Sequence, residues 1–237
     1  MRTLPCLLLL GLGACSLEAP TPTVPAPTPA SAPASKAASV EAMGRRGFDR
    51  MTPDSAPTGW RIAATHPAGA LATWKVVAEA SAPSPPQALA LTATNHASAD
   101  TFNLCWDESS KFQDGIFELA LRANGGTMDQ GGGPIWRAKD ENNYYVCRAN
   151  PLEGNFRLYV VVNGERKQLA SADTKVSAGT WHKIRVEHKA TRIACTLDDA
   201  LRLEAEDASL PDAGHVGLWT KADALTAFDD LVVRPAR

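Results

Sequence analysis

Aromatic and basic side chains are concentrated in two short stretches of this 237-residue sequence, positions 136–148 and 219–221. Aromatic rings can lie against the apolar faces of a sugar, while arginine, asparagine and aspartate side chains can bond to its hydroxyl groups. We therefore expect a carbohydrate ligand. The expected ligand-binding residues are Arg137, Tyr145, Arg148, Trp219 and Lys221.

Part of this aromatic set must have a structural role, because alternation along a strand sends half of each run inward. Packing is the favoured role of Trp136 and Tyr144, and it is favoured for Trp219 as well. The basic residues are harder to bury and are the better candidates for a polar site, although structural salt bridges would explain them equally well.

Carboxylates in a catalytic arrangement are not evident. Glycoside hydrolysis usually needs two carboxyl groups about 5 to 10 Å apart, one protonated and one ionised. Glu118 is a lone carboxylate in its segment, and the adjacent Asp229 and Asp230 would point to opposite faces of a strand. The sequence also has no G-x-S-x-G, H-E-x-x-H, phosphate-loop or dinucleotide-binding signature. Enzymatic activity is therefore left open, with Glu118 as the candidate acid or base.

One oxygen-rich segment could hold a cation. Residues 140–143 (Asp-Glu-Asn-Asn) offer the carboxylate and amide oxygens that Ca²⁺ prefers, but turn formation explains the same residues. We expect no cofactor, with calcium as the minor alternative. No paired C-x-x-C spacing indicates a zinc site, and Cys105, Cys147 and Cys195 are expected to be buried free thiols.

The amino terminus has the features of a lipoprotein signal. Residues 1–14 contain one arginine, an apolar run and small residues, and Cys15 follows as the expected lipidation site. Residues 15–39 are rich in proline and alanine and predict an extended stalk. An ordinary secretory signal would also export the chain. We expect an extracytoplasmic protein attached to the membrane by a lipid anchor, in the outer membrane if the cell is Gram-negative.

Residues 40–237 are predicted to form one all-β domain. Short alternating runs such as 115–122, 156–162 and 192–197 are separated by turn signals that include Asn163 and Gly164. Many short antiparallel strands at this spacing favour a jelly-roll sandwich of two antiparallel sheets. The formal net charge of −2 is not visibly segregated, so we expect no nucleic-acid partner.

Two motifs carry a family resemblance. Residues 133–150 (GPIWRAKDENNYYVCRAN) and 214–223 (GHVGLWTKAD), with FDDL at 228–231, resemble the signatures of the 3-keto-disaccharide hydrolase domain family. That family is grouped with concanavalin A-like lectins, laminin G domains and family 16 glycoside hydrolases. The resemblance implies a concanavalin A-like jelly roll, a fold that hosts both binding proteins and enzymes. A carbohydrate-binding module is the favoured function. A glycoside hydrolase and a structural or protein-interaction lipoprotein of the envelope are the alternatives.

Overall fold

The computed structural model describes residues 44–236, with the side chain of Pro235 excepted. The chain divides into two units, residues 1–34 and 35–237, and all of the described residues belong to the second unit. The predicted signal peptide (1–14), the lipidation site Cys15, the stalk (15–39) and the first residues of the predicted domain lie outside the described range. No helix within residues 44–236 has the length and apolar character that a membrane crossing requires.

All regular secondary structure in the described residues is β-strand. The strands are β1 (Arg45–Arg46), β2 (Trp60–Thr65), β3 (Thr73–Ala78), β4 (Gln87–Ala93), β5 (Phe102–Asp107), β6 (Gly115–Gly125), β7 (Gly133–Asp140), β8 (Asn143–Asn150), β9 (Asn155–Val162), β10 (Glu165–Asp173), β11 (Trp181–Lys189), β12 (Arg192–Leu197), β13 (Leu201–Glu206), β14 (His215–Lys221) and β15 (Leu225–Pro235).

The strands form two sheets, and every pairing between named strands is antiparallel. The eight-stranded sheet has the order β13-β12-β11-β6-β15-β4-β3, with β1 paired to β15. The seven-stranded sheet has the order β10-β9-β8-β7-β14-β5-β2. Strands that are distant in sequence are neighbours in both sheets, as in a jelly roll, so the predicted all-β sandwich is confirmed.

The main apolar core contains inward-facing residues of both sheets. Phe117 and Val186 come from the eight-stranded sheet, and Trp136, Tyr145 and Cys147 come from the seven-stranded sheet. A second apolar cluster includes Tyr144 and lies on the opposite face of the seven-stranded sheet. Both faces of that sheet therefore carry large apolar side chains, a pattern that the sequence shows as nearly continuous hydrophobic runs.

Turn residues fix the register of the strands that carry the site. Asn163 and Gly164 both have positive φ (53° and 84°), as the two-residue turn between β9 and β10 requires. The turn places Arg166 directly opposite Val161 on the neighbouring strand. Because residues directly opposite each other point to the same face, Arg166 lies on the face of the second apolar cluster.

Candidate functional site

The outer face of the seven-stranded sheet, directed away from the other sheet, carries a layer of aromatic rings. We call this layer the aromatic face; its rings belong to Phe102, Trp106, Tyr144, Tyr159 and Trp219. Phe102 and Trp219 pack with ring centroids 5.3 Å apart. The hydroxyl group of Tyr144 on β8 lies 2.8 Å from that of Thr65 on β2, at the far edge of the same sheet. Burial raises the pKa of Tyr144 well above its ordinary value, so this phenol stays neutral.

Two arginines lie over the aromatic face. The guanidinium carbon of Arg166 is 4.5 Å from the ring centroid of Tyr159, 5.0 Å from that of Phe102 and 6.0 Å from that of Trp219. Arg61 lies 5.4 Å from the centroid of Trp106. Such stacking is favourable because the negative faces of the rings attract the cation. The aromatic side chains are nearly inaccessible beneath these arginines, whereas Arg61 and Arg166 reach the solvent.

A buried charge network adjoins the aromatic face, and Arg148 is its centre. Arg148 Nη1 donates to Asp129 Oδ2 and to Glu153 Oε1, both at 3.2 Å. Arg148 Nη2 donates to Glu153 Oε2 at 2.7 Å and to Asn155 Oδ1 at 2.9 Å. Lys221 Nζ is 3.8 Å from Asp129 Oδ2. Arg148 and Asp129 are both about 1% exposed, so each charge depends on the other for compensation.

The two acids of this network differ in their electrostatic environment. Burial raises the pKa of Asp129 above its ordinary value, although Arg148 and Lys221 oppose the change. Hydrogen bonds from Arg148 hold the pKa of Glu153 at about 2. Burial alone would lower the pKa of Arg148, but the bond with Glu153 and the charge of Asp129 raise it. Arg148 is therefore permanently charged and anchors both acids.

Asp129 and Glu153 also form a carboxylate pair that the sequence did not reveal. Since Asp129 Oδ2 and Glu153 Oε1 both lie 3.2 Å from the same nitrogen, their separation is less than twice that distance. This upper limit includes the separation of about 5–5.5 Å between the carboxyl groups of a retaining glycosidase. However, both carboxylates bind the guanidinium group of Arg148, and the low pKa of Glu153 keeps it ionised. The arrangement is better suited to holding a rigid polar surface than to transferring a proton.

Three of the predicted binding residues, Arg148, Trp219 and Lys221, are brought together on this outer face. Trp219 and Lys221 are two positions apart on β14, and Lys221 reaches the Arg148 network through Asp129. Only Lys221, with a side chain 20% exposed, has access to solvent. Arg148 and Trp219 are buried, so direct contact between their side chains and a ligand was wrongly predicted. Arg148 and Trp219 are instead buried structural residues of this outer face.

Arg137 is not part of this surface, and its prediction as a ligand contact is wrong. The pairing of β7 with β8 shifts register between Trp136 and Asp140, and Arg137 has a positive φ of 47° within this irregularity. Its side chain is 1% exposed and donates to Gln113 O, Leu210 O, Ala190 O and Asp114 Oδ1, all within 3.0 Å. Arg137 therefore joins three loops of the sandwich.

A neighbouring glycine permits the irregularity at Arg137. A Cβ atom at Gly214 would lie 2.5 Å from the carbonyl carbon of Arg137 and 2.6 Å from Ala138 O. No other residue type would fit this close approach of the two backbones.

Tyr145 also lies away from the aromatic face, because alternation along β8 directs it into the core. Its ring stacks on Trp136 at 5.7 Å, and its hydroxyl group donates to Asp207 Oδ1 at 2.7 Å. The ring is fully buried, so its prediction as a ligand contact is wrong.

Glu118 lies on the outer face of the eight-stranded sheet and is surrounded by cations. Arg185 Nη1 is 2.8 Å from its carboxylate, Lys183 Nζ is at 3.3 Å, and Arg234 also donates to it. Burial would raise the pKa of Glu118, but the bonds from Arg185 and Arg234 prevail and lower it to about 2. Another acid, Glu187, binds the same Arg185. Since Glu118 stays ionised, it is unsuited to a general-acid role, and its role as a base stays a prediction.

The oxygen-rich segment 140–143 forms the turn between β7 and β8. Asp140 Oδ1 accepts bonds from Asn142 N at 2.8 Å and Asn143 Nδ2 at 2.9 Å, and Asn143 Oδ1 accepts from Asn163 N at 3.0 Å. These oxygens stabilise the turn. Within residues 44–236 no three acidic, histidine or cysteine side chains are grouped in a way that could hold a metal ion. The calcium alternative stays a prediction.

Asp129, Tyr159 and Arg166 were missed as site residues. Tyr159 and Arg166 could have been found, because the turn at residues 163 and 164 fixes the register of β9 and β10 and alternation then gives the face. Asp129 precedes β7 in a loop, where no periodicity indicates direction. The three cysteines at 105, 147 and 195 are buried and free, as predicted.

Comparison with known proteins shows the fold. No family model and no curated protein matches the chain. A carbohydrate-binding module, CBM66 from Bacillus subtilis, superposes with a TM-score of 0.57 at 20% identity, covering 75% of this chain and 96% of that chain.

Two further solved structures give similar agreement. The cellulose-induced protein Cip1 superposes with a TM-score of 0.57 at 11% identity, covering 81% of this chain and 98% of its own. A β-glucanase from Bacillus licheniformis has a TM-score of 0.52 at 14% identity, with coverage of 81% and 97%. The chain thus has a concanavalin A-like jelly-roll fold, and the resemblance to the 3-keto-disaccharide hydrolase domains stays a prediction.

Proposed function

We propose that this protein is a carbohydrate-binding module whose binding surface is the outer face of the seven-stranded sheet. The observation that carries this proposal is the position of Arg166 over three aromatic rings, next to Lys221 and the Arg148 network. These rings are covered, so they fix the position of Arg166, while Arg166 and Lys221 are the groups that a sugar can contact. The similarity to a carbohydrate-binding module supports the same choice, and the similarity to a β-glucanase supports a carbohydrate ligand.

The outer face of the eight-stranded sheet is less suited to a sugar. A groove on this face, of about 780 Å³, has among its lining residues the charged Glu187, Arg192, Arg202, Glu204 and Glu206. These residues pair with one another: Arg192 binds Glu206 at 3.2 Å, and Arg202 binds Glu204 at 2.7 Å. No aromatic residue except His188 lines this groove. Because most charged groups of this groove are paired with one another, few donors are left for a sugar.

We further propose that the module is held outside the cytoplasm by lipidation of Cys15, with residues 15–39 as a stalk. The support is the sequence of the first 39 residues alone. A Cys15→Ser variant should lose the lipid and leave the membrane fraction. If the Cys15→Ser variant stays in the membrane fraction in the same amount as wild type, the proposed lipid anchor is contradicted.

Binding should be tested by titrating the purified chain with a panel of poly- and oligosaccharides that includes 3-keto-disaccharides. Wild type is compared with Arg166→Gln and Lys221→Gln, and Arg192→Gln is the matched control because Arg192 lies on the other sheet and is 84% exposed. We expect binding that the first two variants weaken and the control retains. Equal binding by all four proteins would contradict the proposed surface.

Hydrolysis is the second candidate, favoured by the short separation of Asp129 and Glu153. The same panel is therefore assayed for new reducing ends. Product release that is lost in Glu153→Gln would establish an enzyme instead of a binding module. Neither binding nor product release with any sugar would favour a structural lipoprotein.

A further inference from the structure

We infer that the carbohydrate bound on the aromatic face is anionic, and that Arg166 and Lys221 bind its carboxylate or sulfate group. This inference rests on the proposed function and specifies the class of its ligand. It is carried by the contacts of Arg166, by further donors on the same face and by the local balance of charge.

Arg166 differs in its partners from eleven other arginines of the described residues. Eleven arginines within residues 44–236 form an ion pair with an acid; they are Arg45, Arg46, Arg61, Arg122, Arg137, Arg148, Arg157, Arg185, Arg192, Arg202 and Arg234. For Arg166 the described residues provide three aromatic rings and no acid within ion-pair distance. Its Nη1 atom is buried and has no hydrogen-bond partner.

An unsatisfied buried donor of this kind costs roughly 1–3 kcal/mol, more when it is charged. Because Arg166 as a whole is only half-buried, a shift of its side chain would bring this atom to an acceptor supplied by a ligand and remove that cost. A planar guanidinium group is suited to two parallel bonds with a carboxylate or a similar anion, and the rings beneath Arg166 hold its plane in place. The contacts of Arg166 therefore resemble a prepared anion site.

Two further donors of the same face lack an acceptor. Arg148 Nε is buried without a partner, and so is Trp219 Nε1. The indole N–H of Trp219 lies near enough to the Tyr144 hydroxyl group to lower its pKa slightly, but it makes no hydrogen bond of good geometry. Since Arg148 and Trp219 are buried, these unpaired donors do not contact a ligand themselves, but they add positive polarity beneath Arg166.

The charges around this site leave an excess of cations. The cations are Arg148, Arg157, Arg166 and Lys221, and the acids are Asp129, Glu153 and Asp223, which accepts a hydrogen bond from Asp129 N. Burial favours the neutral form of Asp129, which would increase the excess. Arg61, at the other end of the face, is paired with Glu141 at 3.8 Å and does not change the balance. The excess cations at the solvent-reaching end, Arg166 and Lys221, are the ones that a bound anion can contact.

The inference is tested with acidic oligosaccharides and their neutral counterparts, using calorimetric titration of the full-length chain. The pairs are tetragalacturonate with its methyl ester, tetramannuronate with its methyl ester, and a sulfated galactan tetramer with its unsulfated form. At least one acidic sugar should bind about tenfold or more tightly than its neutral counterpart, because the neutral sugar cannot form the charged hydrogen bond. That preference should decline as salt is added.

Variants connect the preference with the two cations. Arg166→Gln and Lys221→Gln should reduce the affinity for the acidic sugar towards that of its neutral counterpart, while Arg166→Lys should retain part of the preference. Arg192→Gln should bind as wild type does. The near-ultraviolet circular dichroism of each variant is compared with that of wild type, so that a folding defect is recognised.

Each result has a separate meaning. Equal affinity for the acidic and neutral members of every pair would overturn the inference while leaving carbohydrate binding intact. A preference that persists in the Arg166→Gln, Lys221→Gln double variant would place the anion elsewhere and overturn it too. Failure of every sugar, acidic or neutral, to bind would overturn the proposed function itself.

Discussion

Replacement of His188 should remove a pH dependence of stability that the core creates. His188 is 1% exposed, and its Nδ1 atom accepts a hydrogen bond from Trp136 Nε1 at 2.9 Å. The edge of its ring meets Tyr145 at a centroid distance of 5.2 Å. Burial, together with the positive charge of Arg137, lowers the pKa of His188 to about 4, while Asp114 and Asp207 oppose the shift only weakly.

The magnitude follows from the difference between the two states. The pKa of His188 is about 4 in the native state and 6.5 in the unfolded chain, and each pH unit corresponds to 1.36 kcal/mol. As the pH falls below about 6.5, His188 becomes protonated in the unfolded chain but stays neutral in the native state. Native stability is therefore complete above pH 6.5 and declines until about pH 4, where the native state is protonated as well. The total loss is ~3 kcal/mol.

The assay is urea unfolding of wild type and His188→Asn between pH 4 and pH 7.5. Asparagine keeps an acceptor near the position of Nδ1 for Trp136 but does not titrate. We expect the free energy of unfolding of wild type, relative to that of the variant, to decrease by ~3 kcal/mol as the pH falls from 7.5 to 4. Other titrating groups cancel in this difference. An advantage that stays constant within about 0.5 kcal/mol over this range would refute the reasoning.

Three other substitutions should have measurable effects. Arg148→Met should lower the free energy of unfolding in urea by about 3–5 kcal/mol, because it leaves Asp129 buried without its main cation, whereas Arg192→Met on the surface should cost less than about 0.5 kcal/mol. Glu118→Gln should leave sugar binding unchanged but lower the free energy of unfolding by up to ~3 kcal/mol at pH 7. This deficit should vanish as the pH falls from about 4.5 to about 2, because the carboxylate of wild type becomes protonated over that range. Burial raises the pKa of Asp229 to about 6, so its ionisation disfavours the native state. The free energy of unfolding of Asp229→Asn should therefore rise by ~3 kcal/mol relative to that of wild type as the pH increases from 4 to 7. A pH-independent difference in either of the last two cases would contradict the reasoning.

The sequence was sufficient to predict the fold from local signals. Alternation over residues 115–122 and 192–197 corresponds to β6 and β12, and the two positive φ angles at Asn163 and Gly164 are those that their residue types favour. Strands β1 to β4 were not predicted individually, because β1 has two residues and the others follow proline-containing segments without a sustained period. Local patterns thus determined the fold class but not every strand.

The composition of the candidate site depended on tertiary structure. The sequence selected Arg148, Trp219 and Lys221, which do meet, but it also selected Arg137, whose direction is set by a bulge and by the close approach of Gly214. Alternation has a period of two residues, so one irregular residue is enough to reverse the face of a side chain.

Pairing between distant strands decided the rest. Asp129 becomes the partner of Arg148 only when the loop before β7 lies against β8, and Arg166 meets Trp219 only because β10 and β14 belong to one sheet. The residue types of the sequence indicated which chemistry was available. Long-range contacts decided which of those groups share a face, which are buried and which lack a partner. Strand pairing joins residues that no local pattern connects.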